Sequence, residues 1–172
     1  MTRLDGLGLA QFNALPAGQA EAALLGCCTA RHWVRAVLAG RPYATVEEVH
    51  AVAAAALAEL SEADIAEALG GHPRIGERAK VGHSGWSGGE QSGMATTSDA
   101  TKRAMVEANR EYEARFGHVY LVCASGRSGD ELLSIVRDRL RNDAATERRV
   151  VRAELGKINR LRLERMLSAE EQ

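Results

Sequence analysis

Three features of the sequence are suited to chemistry: a histidine fixed by a following proline, a glutamate next to a glutamine, and an arginine set among apolar residues. His72-Pro73 comes directly after Gly70-Gly71. Proline disfavours helical backbone at the residue before it, so the imidazole of His72 is held at a set angle. That suits an acid or base, and it equally describes a turn histidine facing water. Glu90-Gln91 stands eighteen residues on (90 minus 72). A carboxylate there, at a loop-to-helix junction, either caps the helix or orients and exchanges protons with His72. Arg162 is picked out by periodicity. At roughly 100° per residue, Val151, Leu155 and Ile158 fall at about 0°, 40° and −20° on a helix, and Arg162 falls at about 20°. A guanidinium turned toward a core needs an anion. The anion is either a structural Asp or Glu or a substrate carboxylate gripped by two parallel hydrogen bonds; the alternative is an arginine that snorkels out along its stem.

Two other constellations imitate known sites. Gly85-Trp86-Ser87-Gly88-Gly89 matches G-x-S-x-G, but a nucleophilic Ser87 would need a strand before it and a helix after it in a sheet. Cys28 and His32 have the spacing of two metal ligands on a helix, yet no third ligand falls at a recognisable spacing, so no metal site is expected. Cys27 and Cys28 read better as small core residues. There is no P-loop and no dinucleotide fingerprint.

The elements that must carry these residues are helical. Ala, Leu, Arg and Glu are abundant, and only three prolines interrupt the chain. Val46, Val49, Val52, Ala53, Ala56, Leu57 and Leu60 recur at steps of three and four behind a Thr45/Glu48 capping box. Ser61 with Asp64 opens the next helix, which Gly70-Gly71 ends. Further helices are expected at 17–27, 29–39, 98–115, 129–142 and 145–167, with Ser98 and Ser128 as caps. Only 119–124 reads as a strand, and one short strand cannot make a sheet. The expectation is an all-α single-domain bundle of about seven or eight helices spanning 1–172, with a Gly-rich active-site loop. That loop, 70–93, holds eight of the seventeen glycines together with Trp86, two histidines and Glu90-Gln91, a content better suited to a site than to a linker.

Composition narrows the function classes. Twenty-two Lys+Arg against 23 Asp+Glu leave a charge of −1, which offers no electrostatic footprint for nucleic acid. No apolar run approaches the ~18 residues of a membrane helix, and the start lacks a signal-peptide core. Three cysteines, two of them adjacent, do not make a secreted disulfide framework, so a reducing cytoplasm is expected.

Taken in order, a longer set of residues resembles one family. Phe12-Asn13-Ala14-Leu15-Pro16, Cys27-Cys28 with Trp33, Arg41-Pro42-Tyr43, His72-Pro73-Arg74-Ile75-Gly76, Ser87-Gly88-Gly89-Glu90-Gln91, Asn109, Tyr112, Phe116-Gly117-His118-Val119-Tyr120-Leu121-Val122-Cys123-Ala124 and Leu161-Arg162-Leu163 run nearly end to end. The set is similar to that of the OHCU decarboxylases, which act on 2-oxo-4-hydroxy-4-carboxy-5-ureidoimidazoline in the urate-to-allantoin pathway. The resemblance implies an all-α, usually homodimeric enzyme that acts on a small molecule without metal or organic cofactor. It implies catalytic roles for His72, Glu90 and Arg162. It implies substrate contacts from Ser87 and Gln91 and a substrate wall formed by Pro73 and by Tyr120, Leu121, Val122, Cys123 and Ala124. The sequence departs from the family at His118, where a bulky apolar residue is common, and in the variable stretch Ala79 to Gly89. The alternatives are a related lyase acting on a similar ureide, a helical interaction module without catalysis, and a Ser87 hydrolase.

Overall fold

The structure, a computed structural model, describes residues 6–77 and 89–168. Its regular structure is helical: α1 Leu9–Ala14, α2 Ala17–Cys27, α3 Arg31–Ala39, α4 Val46–Ala58, α5 Glu62–Gly70, α6 Asp99–Phe116, α7 Gly129–Arg139 and α8 Ala144–Leu167, with a 3-10 turn at Ser92–Met94. No strand occurs among the described residues. No helix among them is long and apolar enough to cross a membrane.

Helix starts follow local side-chain chemistry. Thr45 Oγ1 accepts from the Glu48 amide at 3.2 Å, and Glu48 reaches back to the Ala44 amide at 2.8 Å. The Ser61/Asp64 box closes in both directions: the Ser61 amide donates to Asp64 Oδ2 at 2.9 Å and the Asp64 amide to Ser61 Oγ at 3.2 Å. Hydrogen bonds from Ser61 and then His32 hold the Asp64 carboxyl at about 2. Ser98 and Ser128 accept from the Thr101 and Glu131 amides. Each expected helix is present, with ends that match or shift by up to three residues; α7 stops at Arg139 rather than 142.

Two expectations are corrected. Helix α1 was not foreseen: it has six residues, a Gly8 N-cap without a side-chain bond, and Phe12 as its one buried residue, so it carries neither a capping signature nor a period. Segment 119–124 is not a strand. It is irregular, because no strand among the described residues pairs with it and its backbone is bound by side chains instead.

The chain forms two compact units, one of residues 1–68 and 156–172 and the other of 69–155. In the first, α3 packs against α2 and α4. Phe12, Leu24, Trp33, Val34, Val49 and Leu163 are fully buried there, and the Trp33 indole N–H donates to the Ala53 carbonyl at 3.0 Å. Arg41, following α3, donates to the carbonyls of Phe12 and Leu15 at 2.6 and 2.9 Å; its bond to Pro42 is cis.

In the second unit α6 packs against α7. Met105, Tyr112, Tyr120, Val122, Leu132 and Val136 belong to one apolar cluster. Within this unit lies a buried ion pair. Glu147 is 0% exposed and Arg139 5%. Arg139 Nε donates to Glu147 Oε1 at 2.8 Å, the Tyr112 hydroxyl donates to the same oxygen at 2.5 Å, and Asn142 donates to Oε2 at 3.0 Å. The guanidinium also lies over the rings of Tyr112 and Tyr120, 5.7 and 5.0 Å from their centroids. Burial, then the neighbouring carboxylate, pushes the Tyr112 phenol far above its ordinary pKa, so it remains a donor.

Removing one partner of such a pair strands the other charge in the core. Glu147→Leu is expected to cost about 3–5 kcal/mol in urea unfolding. The double variant Glu147→Leu/Arg139→Met is expected to recover part of that loss. A single variant as stable as the parent would show that the pair contributes nothing.

Candidate active site

The site is built from the end of α5 onward. The helix stops at Gly70, and the His72 amide donates to the Leu69 carbonyl at 3.1 Å. His72 and Pro73 are half-buried. The turn that follows is held from three directions. Gly76, with φ of 89°, donates its amide to Gln91 Oε1 at 2.8 Å. Asn109 of α6 donates its side-chain amide to the Ile75 carbonyl at 3.0 Å. Arg74 forks onto both carboxylate oxygens of Glu113 at 2.6 and 3.2 Å. A cavity of about 360 Å³ opens beside the turn, lined in part by Arg74, Ile75, Gly76, Met94 and Asn109. The buried Asn109 Oδ1 has no hydrogen-bond partner among the described residues.

The Gln91–Gly76 bond ties the far end of the glycine-rich segment to the turn that follows His72-Pro73. It also gives the Gln91 side chain a structural partner. Glu90 is half-buried and helical with residue 89, and a 3-10 turn at Ser92–Met94 follows; the residues before 89 lie outside the described residues. Gly93 in that turn has no room for a side chain: a Cβ there would lie 2.0 Å from the Arg127 carbonyl oxygen. Glu90-Gln91 is thereby seated against the backbone that follows the wall segment. Ser87 lies outside the described residues.

Segment 120–124, the expected substrate wall, alternates in how its side chains pack. Tyr120, Val122 and Ala124 belong to the apolar cluster of the second unit, and Leu121 and Cys123 do not. This alternation turns the first three side chains into the core, where the Tyr120 hydroxyl donates to the Leu132 carbonyl at 3.1 Å. What residues 120, 122 and 124 can offer a ligand is therefore backbone. Val122 is 4% exposed, yet neither its N–H nor its C=O hydrogen-bonds to any described residue. Buried backbone groups are nearly always paired, so an open pair marks a place for a polar partner.

Arg162 belongs to the first unit. Val151, Leu155 and Ile158 are buried as the stripe requires, and Arg162 is buried with them at 3% exposure, which removes the snorkelling alternative. Its Nη1 donates to the Cys27 carbonyl at 3.2 Å. Burial pushes the Cys28 thiol up, against a smaller opposing pull from Arg162, so Cys28 is a protonated core residue. His32 pairs with Asp64 at 2.6 Å, not with Cys28, and no group of three or more possible metal ligands occurs among the described residues.

A family model described as OHCU decarboxylase matches residues 13–164. The chain belongs to the OHCU decarboxylase family. It is 31% identical over 133 residues to the 2-oxo-4-hydroxy-4-carboxy-5-ureidoimidazoline decarboxylase of Amia calva, covering 75% of this chain and 76% of that protein. It is 27% identical over 147 residues to the uric acid degradation bifunctional protein TTL of Arabidopsis thaliana, covering 83% of this chain but 45% of that longer protein. Its fold is similar to the crystal structure of an OHCU decarboxylase in the presence of (S)-allantoin, with a TM-score of 0.73, 27% identity and coverage of 83% and 95% of the two chains.

Sequence reasoning missed the residues that bind the backbone of Leu121 and Cys123, Arg139 and Glu154. For Arg139 a signal existed. At roughly 100° per residue from Leu132, Val136 falls at about 40° and Arg139 at about −20°, the stripe geometry that singled out Arg162. Glu154 carried no comparable mark.

Gly93→Ala is expected to push the 91–94 turn off the Arg127 carbonyl. A loss of about 1–3 kcal/mol in chemical unfolding should accompany weaker binding of (S)-allantoin. Unchanged stability and binding would show that the close approach is not needed.

Proposed function

We propose that this OHCU decarboxylase family member removes the carboxylate of 2-oxo-4-hydroxy-4-carboxy-5-ureidoimidazoline and delivers (S)-allantoin. The observation that carries the reading is the hydrogen bond from the Gly76 amide to Gln91 Oε1, which ties Gln91 to the turn that follows His72-Pro73.

The substrate supplies its own electron sink. The imidazoline ring holds a C=N bond next to the carbon that bears the carboxylate. When the carbon–carboxylate bond breaks, its electron pair forms a ring C=C and the nitrogen takes up charge and proton. The neighbouring hydroxyl then loses its proton and becomes the ketone, while the ureido-bearing carbon receives one. No thiamine, pyridoxal or metal is needed for that path. The protein must hold the breaking bond in line with the π system, stabilise the charge that develops, and protonate one face.

In this reading Arg162 binds the carboxylate and its charge favours the anionic substrate. His72 hydrogen-bonds the substrate hydroxyl and takes part in proton transfer. Glu90 fixes the imidazole tautomer or shares its proton. Pro73 and the Tyr120–Ala124 segment flank the ring, the segment through backbone groups, and Ser87 and Gln91 contact the polar edge. The protein acts in the cytoplasm as a homodimer on a small molecule, without nucleic-acid or membrane partners, and residues 1–172 act as one domain. A single cooperative transition in urea is expected; two separate transitions would argue for independent folding units.

Purified protein given freshly made intermediate is expected to produce (S)-allantoin in excess over the racemate from spontaneous decay. His72→Asn and Glu90→Gln are each expected to lower turnover about 10²–10⁴-fold while helical circular dichroism persists. Arg162→Lys should raise KM, since an ammonium cannot make the two-pronged contact. Racemic product, together with no thermal shift from millimolar (S)-allantoin, would favour a helical interaction module without catalysis.

A further inference from the structure

Residues 121 and 123 of segment 120–124 are held by charged side chains. The Leu121 carbonyl accepts from Arg139 Nη1 at 2.5 Å. The Cys123 amide donates to Glu154 Oε2 at 2.8 Å, and the Cys123 carbonyl accepts from Arg127 Nε at 3.3 Å. Where side chains alternate along a chain, the backbone groups of adjacent residues also point to opposite edges. Residues 121 and 123 are tied to one edge by charged side chains. Val122, between them, turns its N–H and C=O to the other.

The geometry points to Arg139 and Glu154 as positioning residues of the reaction: by gripping residues 121 and 123 they fix the Val122 N–H and C=O as a preformed donor–acceptor pair for the amide edge of a cyclic ureide. The inference deepens the decarboxylase reading and rests on it. A ring that carries adjacent N–H and C=O groups matches such a backbone pair in both position and polarity. The grip is costly to build unless it serves placement. Arg139 is 5% exposed and needs Glu147 beneath it, itself oriented by Tyr112 and Asn142, before it can reach the Leu121 carbonyl. A carbonyl on a surface loop would be satisfied by water. Here a desolvated guanidinium fixes it, and charge-assisted bonds of this kind are short and directional. Neither Arg139 nor Glu154 is assigned contact with the reacting atoms; both act through the backbone between them.

Glu154 allows a clean test because it is only half-buried. Glu154→Leu removes the acceptor of the Cys123 amide, whereas Glu154→Gln keeps an oxygen that can accept. In the full-length protein, Glu154→Leu is expected to raise KM and the Kd for (S)-allantoin together by about tenfold. Its kcat should stay within about threefold, and Glu154→Gln should stay near the parent in both. Arg139→Lys provides a second reading. It keeps a cation beside Glu147 but cannot fork to the carboxylate and the Leu121 carbonyl at once, so KM is again expected to rise. The proposal is overturned if folded Glu154→Leu keeps KM and Kd within twofold of the parent. Equal damage in Glu154→Gln, or an unchanged KM in Arg139→Lys, overturns it as well. A parent protein inert on the intermediate sinks the decarboxylase reading and this proposal with it, an outcome distinct from an active parent indifferent to Glu154.

Discussion

A guanidinium stripped of water must be met by a carboxylate and by further acceptors, or the fold around it fails. In the second unit that requirement fixes more than stability. Arg139 spends one nitrogen on Glu147 and another on the Leu121 carbonyl, so the ion pair that neutralises the charge also sets the backbone of an otherwise irregular segment. The packing follows suit. The rings of Tyr112 and Tyr120 lie against the cation, and Tyr120, Val122 and Ala124 fill the cluster between α6 and α7. An irregular chain buried among helices has no ladder to satisfy its polar groups. Here side chains replace the ladder on one edge and leave the Val122 groups open on the other.

That arrangement suits a decarboxylation in which the substrate carries the electron sink. Such a reaction asks the protein for orientation and fixed charge more than for an unusual functional group. Orientation comes from short ties between distant parts of the chain: Gln91 to Gly76, Asn109 to Ile75, Arg74 to Glu113, and Glu154 to Cys123. Each joins a helix or helical turn to an irregular stretch. The helices therefore act as the frame, and the stretches between them carry backbone N–H and C=O groups that are not consumed by helical bonding.

The sequence was informative wherever the cause was local. Capping boxes at Thr45 and Ser61, caps at Ser98 and Ser128, and the Gly70-Gly71 stop are decided by residues three or four apart, and helices begin and end there. Burial of Arg162 was legible because helical periodicity is a property of a few consecutive turns. The ordered motifs from Phe12 to Leu163 were enough to name the family, since they record a whole surface in one dimension. Helix α1, short and uncapped by a side chain, left no such mark.

What the sequence determined by itself was the helices from α2 onward, the buried arginine of α8 and the family with its reaction. Tertiary structure alone decided which partners the polar groups would find. A hydrogen bond between residues fifteen to thirty-four apart, such as Gln91 to Gly76 or Asn109 to Ile75, depends on where whole helices pack, and no local pattern encodes it. For the same reason segment 119–124 has strand composition without being a strand: strand character needs a neighbouring chain to pair with, and here the neighbours are the side chains of Arg139, Arg127 and Glu154.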